Sequence, residues 1–144
     1  MREILFRGKR TDATVPPWVY GGIAAIAGPD ADYRERAFMI EGGASQGYIG
    51  FSWEVWRETV GQFTGRTDKN GQKVFEGDIL SLFGGKDRGV VLWSDHDQCY
   101  FISPSGDEHF TLGDFGDFGK PEYYEVIGNI HDNPELLNGG GADE

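Results

Sequence analysis

Cysteine is nearly absent from this chain. Cys99 stands alone among 144 residues, so no disulfide can close within the chain, and a reducing compartment is favoured. Long apolar runs are missing too. Nothing approaches the roughly 20 consecutive apolar residues that cross a bilayer as a helix, so no membrane association is expected. The opening Met1-Arg2-Glu3-Ile4-Leu5-Phe6 carries charge where a secretion signal has an apolar stretch. These omissions predict a cytoplasmic protein. Bases are scarce in one region only. Residues 1–93 hold twelve acids and twelve bases, whereas residues 94–144 hold twelve acids and one base, Lys120. The net charge of −11 therefore belongs to the last third. Phosphate contacts need Lys or Arg to displace counterions, so direct binding to nucleic acid is not expected.

What the chain does have is aromatic side chains and glycine. Phe, Tyr and Trp make up 14% of it, with four Trp and ten Phe, enough to build a core despite the charge. The 23 glycines scattered among β-branched and aromatic residues predict short strands and many turns. Strand character appears at Glu3–Arg7, at Trp18–Tyr20 with a weaker continuation over Ile23–Ala27, and at Ala37–Ile40. The stretch Tyr48–Val60 reads as strand through Tyr48, Ile49, Phe51 and Trp53, or as a helical turn through Val55, Trp56 and Val60. Val60–Phe63 should be extended, with a turn near Gly65.

Asp68-Lys69-Asn70-Gly71 is the clearest local signal, because Asn-Gly suits a tight turn in which both residues tolerate positive φ. Val74-Phe75 and the turn Glu76-Gly77-Asp78 follow. A meander then runs through Ile79–Phe83, Gly89–Trp93 and Gln98–Ser103, with Gly84–Asp87 and Ser94–Asp97 as its loops. Glu125–Ile130 is the last strand. A short helix should start at Pro134 with Asn133 as its cap, and residues 138–144 form a flexible tail. The fold class is all-β, with a predicted core of Phe75, Ile79, Val91, Trp93, Phe101 and Val126. The chain reads as one β domain over 1–137. It also divides into two β subdomains, about residues 1–57 together with the C-terminal strand, and residues 58–120.

One internal echo stands out. Phe6-Arg7-Gly8-Lys9-Arg10-Thr11-Asp12 resembles Phe63-Thr64-Gly65-Arg66-Thr67-Asp68, and Trp18-Val19-Tyr20-Gly21-Gly22-Ile23 resembles Val74-Phe75-Glu76-Gly77-Asp78-Ile79. Two related β units or shared turn chemistry explain it equally well.

The opening Met1–Arg10, the run Glu58-Thr59-Val60-Gly61-Gln62-Phe63-Thr64-Gly65, the turn Asp68–Gly71, Val74–Ile79 and the closing Glu125–Leu137 occur in an order similar to that of the YopX family of phage and prophage proteins. Residues between Gly21 and Trp56 depart most and read as a variable insert. The resemblance implies an all-β fold with an SH3-like barrel component, additional strands and a bacterial host cell. It implies no activity and transfers no catalytic residue. The residues agree about the barrel: a strand opened by Gly77-Asp78-Ile79, a glycine loop and the return Arg88–Trp93 resemble the start of a small SH3-like barrel. Fold alone does not fix function.

Catalytic chemistry finds little support. Asp95-His96-Asp97 and Asp107-Glu108-His109 have metal-ligand residue types, but the strand Gln98–Ser103 would hold them apart, so both read as polar turns. No metal or cofactor is expected. Cys99 lies within a predicted strand, where a thiol is usually buried and inert. Gly84-Gly85-Lys86 lacks the earlier Gly and following Ser/Thr of a phosphate loop. Asp114-Phe115-Gly116 and Asp117-Phe118-Gly119 read as a flexible acidic loop. A small hydrolase is therefore the weakest reading. A non-enzymatic protein-interaction or self-assembling module is the leading one, since Trp and Tyr concentrate at interfaces. The four Trp serve equally well as core. An acidic decoy imitating nucleic acid for a basic host protein is the alternative. In either case Asp107, Glu108, Asp114, Asp117 and Glu122 form the candidate surface toward a basic partner.

Overall fold

The computed structural model describes residues 3–12, 16–27, 34–41 and 51–137. The loop expected at Gly28-Pro29-Asp30, the stop at Gly42-Gly43, the start of the Tyr48–Val60 segment and the tail at 138–144 lie outside the described residues. The chain is mostly strand and forms two compact units, Met1–Phe63 and Thr64–Glu144.

The first unit contains β1 (Phe6–Lys9), β2 (Trp18–Ala27), β3 (Arg36–Glu41), β4 (Phe51–Trp56) and the start of β5 (Gly61–Thr67). Their antiparallel order is β4-β3-β2-β1-β5. Strand residues two apart share a face. The register sets Ala37 opposite Val55 and Met39 opposite Trp53, so one face collects Val19, Ala37, Met39 and Val55, all fully buried. Phe6, Trp53 and Val60 pack around them. The segment that read two ways from sequence does both things in turn. It is strand through Trp56, then one 3-10 turn over Arg57–Thr59. Strand β1 starts at Phe6 rather than Glu3. Trp18, Trp53 and Trp56 are half-buried, neither core nor bare surface. Arg7 lies over Trp18 at 4.9 Å from the ring centroid and Arg10 over Trp53 at 3.8 Å. Trp56 meets Arg34 at 3.5 Å and Arg36 at 4.2 Å.

The second unit begins with the end of β5, which pairs with β6 (Lys73–Phe75). Its main sheet comprises β7 (Asp78–Leu82), β8 (Asp87–Ser94), β9 (Cys99–Ser103), β10 (Gly113–Asp114) and β11 (Tyr124–Asn129), in the order β10-β9-β8-β7-β11. The expected meander is therefore present as β7-β8-β9. Val74, Leu80, Leu82, Val91, Ile102, Phe115, Phe118 and Tyr124 form the core, with Tyr100 and Val126 against it. Phe75, Ile79 and Phe101 are buried as expected.

Trp93 corrects the predicted core. It shares a sheet face with Val91 but is 39% exposed. It stands at the end of β8, edge-on to Tyr100 across the strand pair, with its indole N–H donated to Asp95. The expected C-terminal helix is a single 3-10 turn over Pro134–Leu136. Asn133 caps nothing there; its side-chain oxygen accepts from the Asn129 N–H instead. Among the described residues neither sheet closes into a barrel: in the first unit the end of β1 is tied to β4 by an isolated Arg10–Val55 bridge and a Thr11-to-Glu54 backbone bond.

The turn motifs have clear physical roles. Asp68 and Gln72 close the loop between β5 and β6, with Gly71 at φ 80°. Of the Asn-Gly pair only the glycine is left-handed. Asp68 is 2% exposed, and one carboxylate oxygen accepts from the Asn70 and Gln72 N–H groups, each at 2.9 Å. The other oxygen accepts from Val126 N–H at 2.9 Å, while Lys69 N–H donates to the Tyr124 carbonyl. The loop thus covers backbone groups along the outer side of β11, which would otherwise present a bare strand edge. Gly77 has φ 95°, as its place in the turn before β7 requires. The internal echo is not a structural repeat. Gly21 and Gly22 lie inside the continuous strand β2, whereas their counterpart Gly77 turns the chain between β6 and β7.

Candidate interaction surface

One segment of the acidic third is organised by a period of three. A 3-10 helix has three residues per turn, so side chains at i and i+3 lie on one face. Phe115–Phe118 forms such a turn. Phe115 and Phe118 both enter the core, Phe115 edge-on to Tyr124 with centroids 5.1 Å apart. Asp114 and Asp117, likewise three apart, are exposed. The repeated Asp-Phe-Gly is therefore an ordered core element carrying acids outward, not the flexible acidic loop expected from sequence. The signal was the i, i+3 spacing of the two Phe, which puts both on one face of a helical turn and not on one face of a strand.

The five candidate acids fall in three places. Asp107 and Glu108 follow β9, where the Asp107 carboxylate accepts from His109 N–H and its carbonyl accepts from the Ser103 hydroxyl. Asp114 and Asp117 lie toward the other end of β9, near Cys99. Four strand steps separate Cys99 from Ser103, about 13 Å. The Cys99 thiol is half-buried. Its pKa is pushed up first by loss of solvent and then by the Asp114 carboxylate, with Asp97 and Asp117 adding to the effect. Such a thiol is a poor nucleophile near neutral pH. Asp95-His96-Asp97 occupies the turn before β9 and Asp107-Glu108-His109 lies beyond its far end, so the strand does hold the two clusters apart. Among the described residues, no three metal-ligating side chains converge.

Glu122 belongs to a third place, a hollow of about 230 Å³ lined by Lys69, Ser81, Gly84, Glu122, Tyr123, Tyr124 and Glu125. Gly84, one of its lining residues, belongs to a feature that pattern reading did not find. Phe83, Gly84 and Gly85 take φ values of 51°, 72° and 96° in succession. A left-handed phenylalanine costs about 1–2 kcal/mol. Phe83 is nonetheless 43% exposed, with its ring 5.8 Å from Tyr123 and 5.9 Å from Phe118. Tyr123 is 44% exposed. An aromatic corner thus stands at the β7–β8 loop beside Glu122, with Asp117 one residue from Phe118. From sequence, Phe83 read as the last residue of a strand.

The family model described as YopX protein matches residues 32–138. That range includes the motifs at 58–65, 68–71, 74–79 and 125–137, and leaves the opening ten residues outside. Protein EF1440 from Enterococcus faecalis has a similar crystal structure, with a TM-score of 0.53 and 24% identity over 96% of this chain and 100% of that one. At that identity the likeness concerns the fold. Among curated proteins, none matches. Among the described residues, no helix is long and apolar enough to cross a membrane.

Proposed function

The chain belongs to the YopX protein family, and we propose that it is a non-enzymatic interaction module whose second unit docks a basic segment of another protein. The observation that carries this is the exposed Phe83–Tyr123 pair, held by a strained loop beside carboxylates. Strain persists only where the surroundings over-determine it, and strained residues cluster at functional positions. Aromatic rings supply contact area at little entropic cost, and the surrounding negative field favours a cationic partner. Strand addition is less well supported as the docking mode in this unit. The Asp68 loop covers backbone groups of β11, and β10 is only two residues long. The division of the five acids among three places favours a docking module over a decoy that would need one continuous row of charge. An SH3-like ancestry for the β7-β8-β9 meander, a phage or prophage origin and action in the cytoplasm belong to the same proposal.

A short labelled arginine-rich peptide tests it by fluorescence anisotropy at moderate salt. The wild type should bind, and Phe83→Ala with Tyr123→Ala should weaken binding about tenfold. Replacing Asp107, Glu108, Asp114, Asp117 and Glu122 by Asn or Gln should flatten the salt dependence while the circular dichroism spectrum stays the same. Equal affinity for the wild type and the aromatic double variant would refute the docking site and leave only non-specific charge attraction.

A further inference from the structure

The hollow beside the aromatic corner has the chemistry of a receptor for one side chain. We propose that it receives a single arginine of the partner, an assignment that rests on the interaction-module reading. At about 230 Å³ it is smaller than the roughly 300–1,000 Å³ of sites for drug-sized ligands. Its walls are unevenly satisfied. Glu125 already has a partner at each oxygen, one 3.3 Å from Lys69 Nζ and the other accepting from the Asn70 side chain at 3.2 Å. Glu122 is exposed and has no ion pair or hydrogen bond among the described residues. It sits beside Tyr123 in one 3-10 turn, so a carboxylate and an exposed ring edge the same opening.

A planar guanidinium meets both requirements, stacking on an aromatic face while its N–H groups pair with a carboxylate. An ammonium would satisfy the carboxylate but gain less from the ring. Lys69 adds a means of regulation. It is the one base among the described residues that line the hollow, and its pair with Glu125 places a positive charge where it opposes an incoming cation. Binding should therefore strengthen when that charge is removed.

The test uses the full chain, isotopically labelled, titrated with a capped peptide whose one charged residue is an arginine, and with the same peptide containing uncharged citrulline. The arginine peptide should shift the amide resonances of Lys69, Glu122, Tyr123 and Glu125, and citrulline should not. Glu122→Gln should weaken binding about five- to tenfold, and Lys69→Met should strengthen it a few-fold. Both substitutions are at exposed positions, and unchanged resonances elsewhere establish that the variants fold. Shifts confined to other residues, equal shifts with citrulline or an unaltered affinity for Glu122→Gln would overturn the assignment. If the arginine-rich peptide still depended on Phe83 and Tyr123, the docking function would survive and only the arginine receptor would fall. If that dependence also failed, both would fall.

Discussion

The two units hold themselves together by different means. Among the described residues, the first has a core of four fully buried side chains, one of them an alanine, and surrounds it with arginines laid on tryptophans. Its charged side chains pair at the surface, Arg34 with Glu58 and Arg57 with Glu35. The second has a core of eight, rich in aromatic and aliphatic bulk, and buries carboxylates that accept backbone N–H groups. Exposed ion pairs are worth about 0–1 kcal/mol. A buried carboxylate taking several N–H bonds cannot be removed without orphaning donors, at about 1–3 kcal/mol each. The second unit should therefore be more sensitive to single substitutions in its turns, and the first more sensitive to salt.

Asp68→Ala should have the largest effect. Three N–H groups lose their acceptor, and stability should fall by about 3–4 kcal/mol. Asp68→Asn keeps one acceptor oxygen and should recover roughly half. Urea denaturation measures both, and a loss for Asp68→Ala within error of a surface substitution would remove the carboxylate from its structural role. Gly89→Ala comes next. A Cβ there would lie 2.3 Å from the Ile102 side chain and 3.0 Å from the Ser103 carbonyl, and the backbone cannot retreat, so about 3 kcal/mol is expected. Gly8→Ala is the matching substitution in the first unit. Its Cβ would meet the Met39 sulfur at 2.8 Å and a Val55 methyl at 2.9 Å. Methionine repacks easily, so the cost should be nearer 1 kcal/mol. Equal losses at the two glycines would erase the contrast between the units.

Gly77→Val forces a β-branched residue into φ 95° and should cost about 2 kcal/mol. That position was legible in sequence because a Glu-Gly-Asp turn before a strand is local chemistry. The Asp68 loop was legible for the same reason, although the carboxylate's reach to Val126, fifty-eight residues away, was not. Non-local facts were the ones that escaped. Trp93 looked like core because its strand alternates correctly, yet at the end of that strand it keeps 39% of its surface exposed beside Tyr100. Phe115 and Phe118 looked like loop because Gly116 and Gly119 read as breakers and one turn is too short to show a period, while a 3-10 turn sets the two rings three apart on one face. The five acids looked like one surface because they are close in sequence, and β9 separates them in space. Phe83 looked like the end of a strand because only glycine ordinarily signals a left-handed backbone.

Glu58→Gln should cost the first unit under about 0.5 kcal/mol, an amount that shrinks further as salt rises. Three of the four Trp lie in that unit, so their fluorescence reports it preferentially. A loss above about 1 kcal/mol would mean that surface pairs matter there more than the exposure of Arg34 and Glu58 allows.

The smallest effect concerns Cys99, which reads the acidic side of the comparison directly. Its pKa is raised in the folded protein, so the neutral thiol is the favoured form. By linkage, the stabilisation that accompanies the raised value is complete below the unfolded thiol's pKa. It is lost as pH rises through the folded value, so this thiol should weaken the fold slightly in alkaline solution and add no pH dependence in acid. Kinetics report the same shift more sensitively, because only the thiolate attacks. Iodoacetamide should modify the native chain more slowly than the urea-unfolded chain at every pH between neutral and the unfolded thiol's pKa. Asp114→Asn removes the nearest charge and should speed the native reaction while leaving the unfolded rate alone. Partial burial, the larger cause, remains in that variant, so the native rate should stay below the unfolded one. A native rate that Asp114→Asn does not change would mean that this carboxylate does not face the thiol, and the acids at that end of β9 would no longer count as one field.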